Sequence, residues 1–237
     1  MTPSGKPPVA LVTGASRGLG LALTTSLLAR GWHVVVDARH GAALDRALTG
    51  LTPPGTLTAL PGDVADDRHR SQLADVVAAA GGLDLLVSNA SVLGPSPLPP
   101  LAEHPLPALL EVFEVNALAP IALFQLVLPW LRVRGGRVVH LSSDAAVEAY
   151  EGWGGYGAAK AALDHATAVL AVEHPELRVY AFDPGDMDTD LHAQAAPGED
   201  LSGLPQPGDV VPDLLRLVDG DLPSGRYRVG ALSGVPA

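Results

Sequence analysis

Short β-branched runs alternate with longer helical patterns along the whole chain. This constrains the fold most, because strands joined through helix-length connections cannot form hairpins and must pair in parallel through crossovers. A sheet of that kind is covered on both faces, so its strands read as continuous apolar runs. Strands are predicted at Val9–Thr13, His33–Asp37, Leu57–Pro61, Leu83–Asn89, Arg137–Ser142, Arg178–Asp183 and Arg226–Ala231. Helices are predicted at Leu19–Arg30, Asp66–Ala80, a broken Pro105–Arg132, Tyr156–His174 and Val210–Val218. Gly31, Gly81–Gly82 and Gly135–Gly136 fall where helices should stop, since glycine takes a left-handed cap without steric cost. The pattern predicts an α/β fold: one doubly wound, seven-stranded parallel sheet with helices on both faces.

At 237 residues the chain fits one domain, 1–237, with residues 1–8 expected as a flexible N-terminal arm. Net charge is −11, from 26 acidic against 15 basic residues, and no Lys/Arg stripe could track a phosphate backbone, which argues against nucleic acid as a partner. The absence of cysteine excludes disulfide scaffolds, thiolate zinc sites and cysteine nucleophiles, and no metal site is expected. Val115–Leu131 lacks charge but contains Asn116, Gln125, Pro120 and Pro129, so it reads as a bent buried helix, not a membrane span. Met1–Pro8 leads into only four apolar residues, too few for a signal-peptide core, and a cytoplasmic location is expected.

Two stretches carry chemistry. The first strand runs into Thr13-Gly14-Ala15-Ser16-Arg17-Gly18-Leu19-Gly20 and then a helix. Glycines there let the backbone turn tightly against a pyrophosphate, whose charge the helix N-terminus stabilises. Further on, Tyr156 and Lys160 stand one helical turn apart on one face. An ammonium beside a phenol favours the phenolate, so Lys160 is expected to lower the Tyr156 pKa and make it a usable general acid. Lys6 and Lys160 are the only lysines of the chain. The stretches Gly94–Pro107 and His192–Gly208 follow strands at the carboxyl end of the sheet, where open α/β folds bind ligands.

With these motifs in this order, the chain resembles the short-chain dehydrogenase/reductase family, in its smaller single-domain, Rossmann-type branch, from Val9 to about Ala231. Thr13–Gly20 resembles its T-G-x-x-x-G-x-G cofactor turn. Asp63, followed by Val64, resembles the acidic residue that meets the adenine ring, and Ser88-Asn89-Ala90-Ser91 resembles the N-N-A-G stretch, with Ser88 and Ser91 as departures. Asn116 resembles the catalytic asparagine, and Ser143 has the family's thirteen-residue spacing to Tyr156. Strand alternation separates Ser143 from its competitor Ser142. Pro184-Gly185-Asp186-Met187-Asp188-Thr189 resembles the segment that holds the nicotinamide end, and residues 190–209 would form a short substrate-side loop. The resemblance implies hydride transfer between a nicotinamide dinucleotide and a small carbonyl or alcohol, with Ser143 and Tyr156 on the substrate oxygen. Lys160 would hold the ribose, and Asn116 would fix a water on the proton path. Glu148, Tyr150, Glu151 and Trp153 stand close enough in sequence to line the pocket rim or to be plain loop residues.

Arg17 in the turn and Arg39 beyond the second strand suit a 2'-phosphate, whereas a carboxylate would accept from a free 2'-hydroxyl. The resemblance places that carboxylate position at Ala38, and alternation points Asp37 away. NADP(H) is therefore expected over NAD(H), with a ketone or aldehyde reductase as the leading activity. An NAD-dependent alcohol dehydrogenase and a non-catalytic dinucleotide-binding regulator are the alternatives. The apolar faces of Val115–Leu131 and Tyr156–Leu170 suggest a homo-oligomer.

Overall fold

The structure, a computed structural model, describes residues 6–51 and 54–232; Met1–Gly5 of the expected arm lie outside it. All seven predicted strands form: β1 (Val9–Val12), β2 (His33–Val36), β3 (Thr56–Ala59), β4 (Leu85–Ser88), β5 (Arg137–Leu141), β6 (Arg178–Asp183) and β7 (Gly225–Arg228). They make one parallel sheet in the order β3-β2-β1-β4-β5-β6-β7. The chain reverses direction across the sheet between β1 and β4, and the carboxyl ends of those strands open into a cleft, as doubly wound sheets require.

Helices cover both faces. On one lie α1 (Gly18–Ala29), α2 (Gly41–Leu48) and α8 (Pro207–Asp219), whose Leu23, Leu27, Leu44 and Leu214 bury against Val12, Val36 and Val139. On the other lie α3 (Asp67–Ala80), α5 (Ala119–Arg134) and α6 (Gly154–Glu173), packing Leu73, Val77, Phe124 and Val127 on Leu11, Leu86 and Val138. Successive residues of the central strands thus supply opposite cores, which explains why those strands lack the polar alternation that the edge strand β7 shows.

The structure differs from the sequence prediction in three places. Helix α2 was not predicted; it is one short amphipathic stretch that buries only Leu44. The expected loop 190–209 contains α7 (Asp190–Ala195) and the start of α8. The broken helix runs from α4 (Leu106–Phe113) into α5 without separating, through a wide π turn at Glu114–Leu118. By length and composition Leu106–Arg134 could cross a membrane, but half of its most apolar stretch is buried inside the protein, as befits a core helix.

Candidate active site

The glycine turn is fixed to the end of β4 by side chains. The Thr13 hydroxyl oxygen accepts the Asn89 and Ala90 amides at 3.0 and 3.1 Å, and Asn89 Nδ2 donates to the Thr13 and Gly14 carbonyls at 2.9 and 3.1 Å. A Cβ on Gly14 would lie 2.8 Å from Ala90 Cα, on a backbone already at φ +69°, and one on Gly20 would lie 2.6 Å from the Gly14 carbonyl oxygen. Gly18 faces the other way, into open space where a Cβ would approach nothing closer than Thr189 Cγ2 at 3.7 Å. Helix α1 starts there with no side-chain cap and no acidic residue in its first turn, so its free N–H groups fit an anion such as a pyrophosphate. The cleft holds about 850 Å³. Of the residues singled out by sequence, Gly14, Ser16, Arg17, Gly18, Leu19, Arg39, Asp63, Val64, Asn89, Tyr156, Lys160, Pro184, Met187 and Thr189 line it, as do Asp37, expected to point away, Ala38 and Ser142, the competitor of Ser143; Gly20, Asn116, Ser143 and Gly185 do not.

Asp37 is wholly buried beneath the turn. Its Oδ1 accepts the Gly14 N–H at 2.9 Å and its Oδ2 lies 3.1 Å from His69 Nε2. Burial pushes this carboxyl above the usual range, against the pull of His69 and the Gly14 N–H. Both oxygens are thereby engaged inside the protein. At the cleft wall Arg39 is half exposed with Nη1 3.7 Å from Glu111, and Arg17 pairs with Asp190 of α7 at 2.8 Å. Asp63 Oδ1 accepts the Ala65 N–H at 2.9 Å. Asp190 and Glu111 had no signal in the sequence, because both pairings are distant along the chain.

At the opposite end, Tyr156 and Lys160 occupy the first turns of α6, both buried. Lys160 Nζ donates to the Leu141 carbonyl at 2.7 Å and lies 5.5 Å from the Tyr156 ring centre. Burial lowers the ammonium to about 8, against the pull of Asp164. Burial raises the Tyr156 phenol to about 12; Asp183 and Asp144 reinforce the rise, and hydrogen bonds with Ser91 and Ser143 oppose it. The lowering expected from Lys160 is not found; removal of the phenol from water sets the direction.

Neighbouring serines diverge as strand alternation requires. Ser142 Oγ donates to Asp164 Oδ2 at 2.7 Å, whereas Ser143, just past β5, donates to Asp144 Oδ1 at 3.0 Å and stands near enough to the Tyr156 hydroxyl to favour its ionised form. Asn116 sits in the π turn, fully buried. Its Oδ1 accepts the Ser91 hydroxyl at 3.0 Å and the Val92 N–H at 2.9 Å, and its Nδ2 donates to the Val92 carbonyl at 2.7 Å. It thereby holds Ser91 against Tyr156. Sequence reasoning passed over Ser91 as a mere departure from glycine. Leu93, Leu98, Trp153, Leu191 and Ala195 form an apolar wall beside Tyr156, with the Trp153 ring edge-on to it at 5.7 Å. Tyr150 donates to Asp144 and Glu148, outside that wall.

A parallel sheet with a glycine turn suited to an anion at its reversal point, opening toward a Ser-Tyr-Lys cluster whose Tyr and Lys are buried, is the arrangement of a dinucleotide-dependent oxidoreductase. The chain matches the short chain dehydrogenase family model over residues 8–200. It is 31% identical to an uncharacterized oxidoreductase of Saccharomyces cerevisiae, YIR035C, over 96% of this chain and 91% of that one. It is 34% identical to a yeast benzil reductase, (S)-benzoin forming, over 77% of this chain and 73% of that one. A short-chain dehydrogenase from Shigella flexneri, solved in complex with NADP, superposes with a TM-score of 0.88 at 28% identity, covering 94% of this chain and 96% of that one. The chain belongs to the short-chain dehydrogenase/reductase family and is an NAD(P)-dependent oxidoreductase acting on a small-molecule substrate.

Proposed function

We propose that this protein is an NADP(H)-dependent reductase of apolar ketones or aldehydes. The observation that carries this reading is the Tyr156 hydroxyl, beside Ser143 at the foot of an apolar wall with the Lys160 ammonium behind it. The free N–H groups of α1 would hold the pyrophosphate, Asp63 and Val64 the adenine end, Lys160 the nicotinamide ribose, and Pro184–Thr189 the nicotinamide. When bound, the nicotinamide supplies hydride to the carbonyl carbon. Ser143 and Tyr156 hydrogen-bond the carbonyl oxygen and stabilise its growing charge, and Tyr156 gives up its proton. A phenol at about 12 is fully protonated at neutral pH, which suits donation in the reductive direction. The kinship with a benzil reductase and the Trp153 ring make aromatic ketones the first substrates to assay, by loss of NADPH absorbance. A broad carbonyl panel with no turnover, although NADPH binds, would favour the regulator reading instead.

Cofactor choice rests on Arg17 and Arg39 at the cleft wall, with both Asp37 oxygens occupied beneath it and Ala38 in place of a carboxylate. Arg39→Ala should weaken NADPH binding by roughly 10- to 100-fold, the worth of a charge-assisted phosphate contact, and leave NADH within about twofold. Titration of both dinucleotides at one salt concentration checks this. Equal losses for the two would refute it.

The same reading includes a homo-oligomer. Leu118 of the π turn is 52% exposed, Val133 of α5 76% and Val172 of α6 81%, apolar area that no other element covers among the described residues. Light scattering at micromolar concentration should report a dimer or tetramer, and a monomer would contradict it.

A further inference from the structure

Three charged side chains with no part in the proposed reaction meet behind the reacting end. Arg226 of β7 donates from Nε to Asp164 Oδ2 at 2.9 Å, and from Nη2 to the Ser143 carbonyl at 2.9 Å and Asp183 Oδ2 at 3.1 Å. Asp164 Oδ2 also accepts the Ser142 hydroxyl, and Asp183 Oδ1 accepts the Gly185 N–H at 3.0 Å. One planar guanidinium thus ties the end of β5, the middle of α6 and the end of β6. Those elements carry Ser143, Lys160 and the Pro184–Thr189 segment. The Asp164 and Asp183 side chains are 14% and 2% exposed while the Arg226 side chain is 30% exposed, so two largely buried carboxylates meet one guanidinium that still reaches water, through charge-assisted hydrogen bonds.

Asp164 follows Lys160 by one helical turn. Its Oδ1 is buried and has no hydrogen-bond partner among the described residues. A bare interior carboxylate oxygen is costly unless its charge offsets a nearby cation, and the Asp164 charge does favour the ammonium form of Lys160.

We propose that Arg226 and Asp164 are positioning residues for the Ser143–Tyr156–Lys160 set: Arg226 fixes the Ser143 peptide so that its hydroxyl meets Tyr156, and Asp164 provides the counter-charge that keeps Lys160 an ammonium. This rests on those three residues being the reacting set. Neither Arg226 nor Asp164 lines the cleft. The other titratable groups around Lys160 are Tyr156 on α6 and His140 on β5, with Asp183 and Arg226 behind Asp164 and Asp144 beyond Tyr156; the Lys160 charge disfavours protonation of His140, which is neutral where Lys160 titrates.

Because the chain has only two lysines, ¹³C-lysine labelling resolves Lys160 from Lys6 in the cofactor-free protein. Asp164→Asn should deprotonate Lys160 at a pH about one unit lower than wild type. An unchanged midpoint would overturn the role of Asp164. Arg226→Gln should speed hydrogen exchange of the Asp144–Val147 amides about tenfold and lower kcat about tenfold, with substrate KM within twofold, and Arg226→Lys should recover part of both. Wild-type exchange in Arg226→Gln would overturn the role of Arg226, as would wild-type kcat at equal folded fraction. Lysine titration and hydrogen exchange need no turnover, so if the wild type reduces no carbonyl, the functional reading fails and these two measurements still decide the pair.

Discussion

Tyr156→Phe is expected to lower carbonyl turnover by a factor of about 10² to 10⁴ while leaving the fold and NADPH affinity in place. The ring is 6% exposed and packs on Leu93, Ala145 and Trp153, all contacts that phenylalanine keeps. What disappears is the hydroxyl, and its neighbours Ser91 and Ser143 keep their own partners in Asn116 and Asp144. The loss of stability should therefore be small. The loss of rate should not, because no other proton donor bonds that position and Ser143 can only hydrogen-bond the developing charge. A factor of 10² to 10⁴ is about 3 to 5 kcal/mol on the barrier, well above the roughly 1 kcal/mol of one neutral hydrogen bond. Steady-state kinetics on a confirmed ketone, beside thermal melts and NADPH titration, checks each part. Near-native turnover in the variant would exclude Tyr156 as the acid, whatever the fold.

The centre of the sheet was legible because β1, β2, β4, β5 and β6 are largely apolar runs and most helices are followed by glycine or proline, so local signals and burial agree; the edge strands β3 (TLTA) and β7 (GRYR) show that signal least. Where a segment buries one side chain, as α2 does with Leu44, the periodicity has too little to show. At the site, Tyr156 and Lys160 are tied by helix spacing and Ser142 and Ser143 are parted by strand alternation, relations that any reader of the sequence can use. The environment of those groups was not legible. Tyr156 is pushed up instead of down by burial, which depends on how Leu93, Trp153 and Leu191 close around it. Arg226 and Asp164, or Arg17 and Asp190, are far apart in the chain and belong to no motif. Ser91 gains meaning only when the π turn brings Asn116 to it.

His140 went unnoticed for the same reason and has a large consequence for stability. It lies on β5 between Ser88 of β4 and Ala181 of β6, wholly buried, and neither ring nitrogen has a partner among the described residues. Burial, with the Lys160 charge adding, lowers its pKa from 6.5 to about 3. The unfolded chain takes up this proton near pH 6.5 and the folded protein does not until about pH 3. Stability from this residue is thus constant above pH 6.5 and falls as the pH drops toward 3, by about 3 kcal/mol at pH 4. His140→Leu nearly preserves volume and replaces two unsatisfied nitrogens with carbon, so at pH 7 it should match or exceed wild-type stability. Its advantage should then widen by about 3 kcal/mol between pH 7 and pH 4, since the carboxylates titrate alike in both proteins and cancel in the difference. Urea unfolding of the two at pH 7, 5.5 and 4 measures this. A difference independent of pH would show that the folded protein accepts a proton on His140 as readily as the unfolded chain does, which a partnerless imidazole beside an ammonium cannot do.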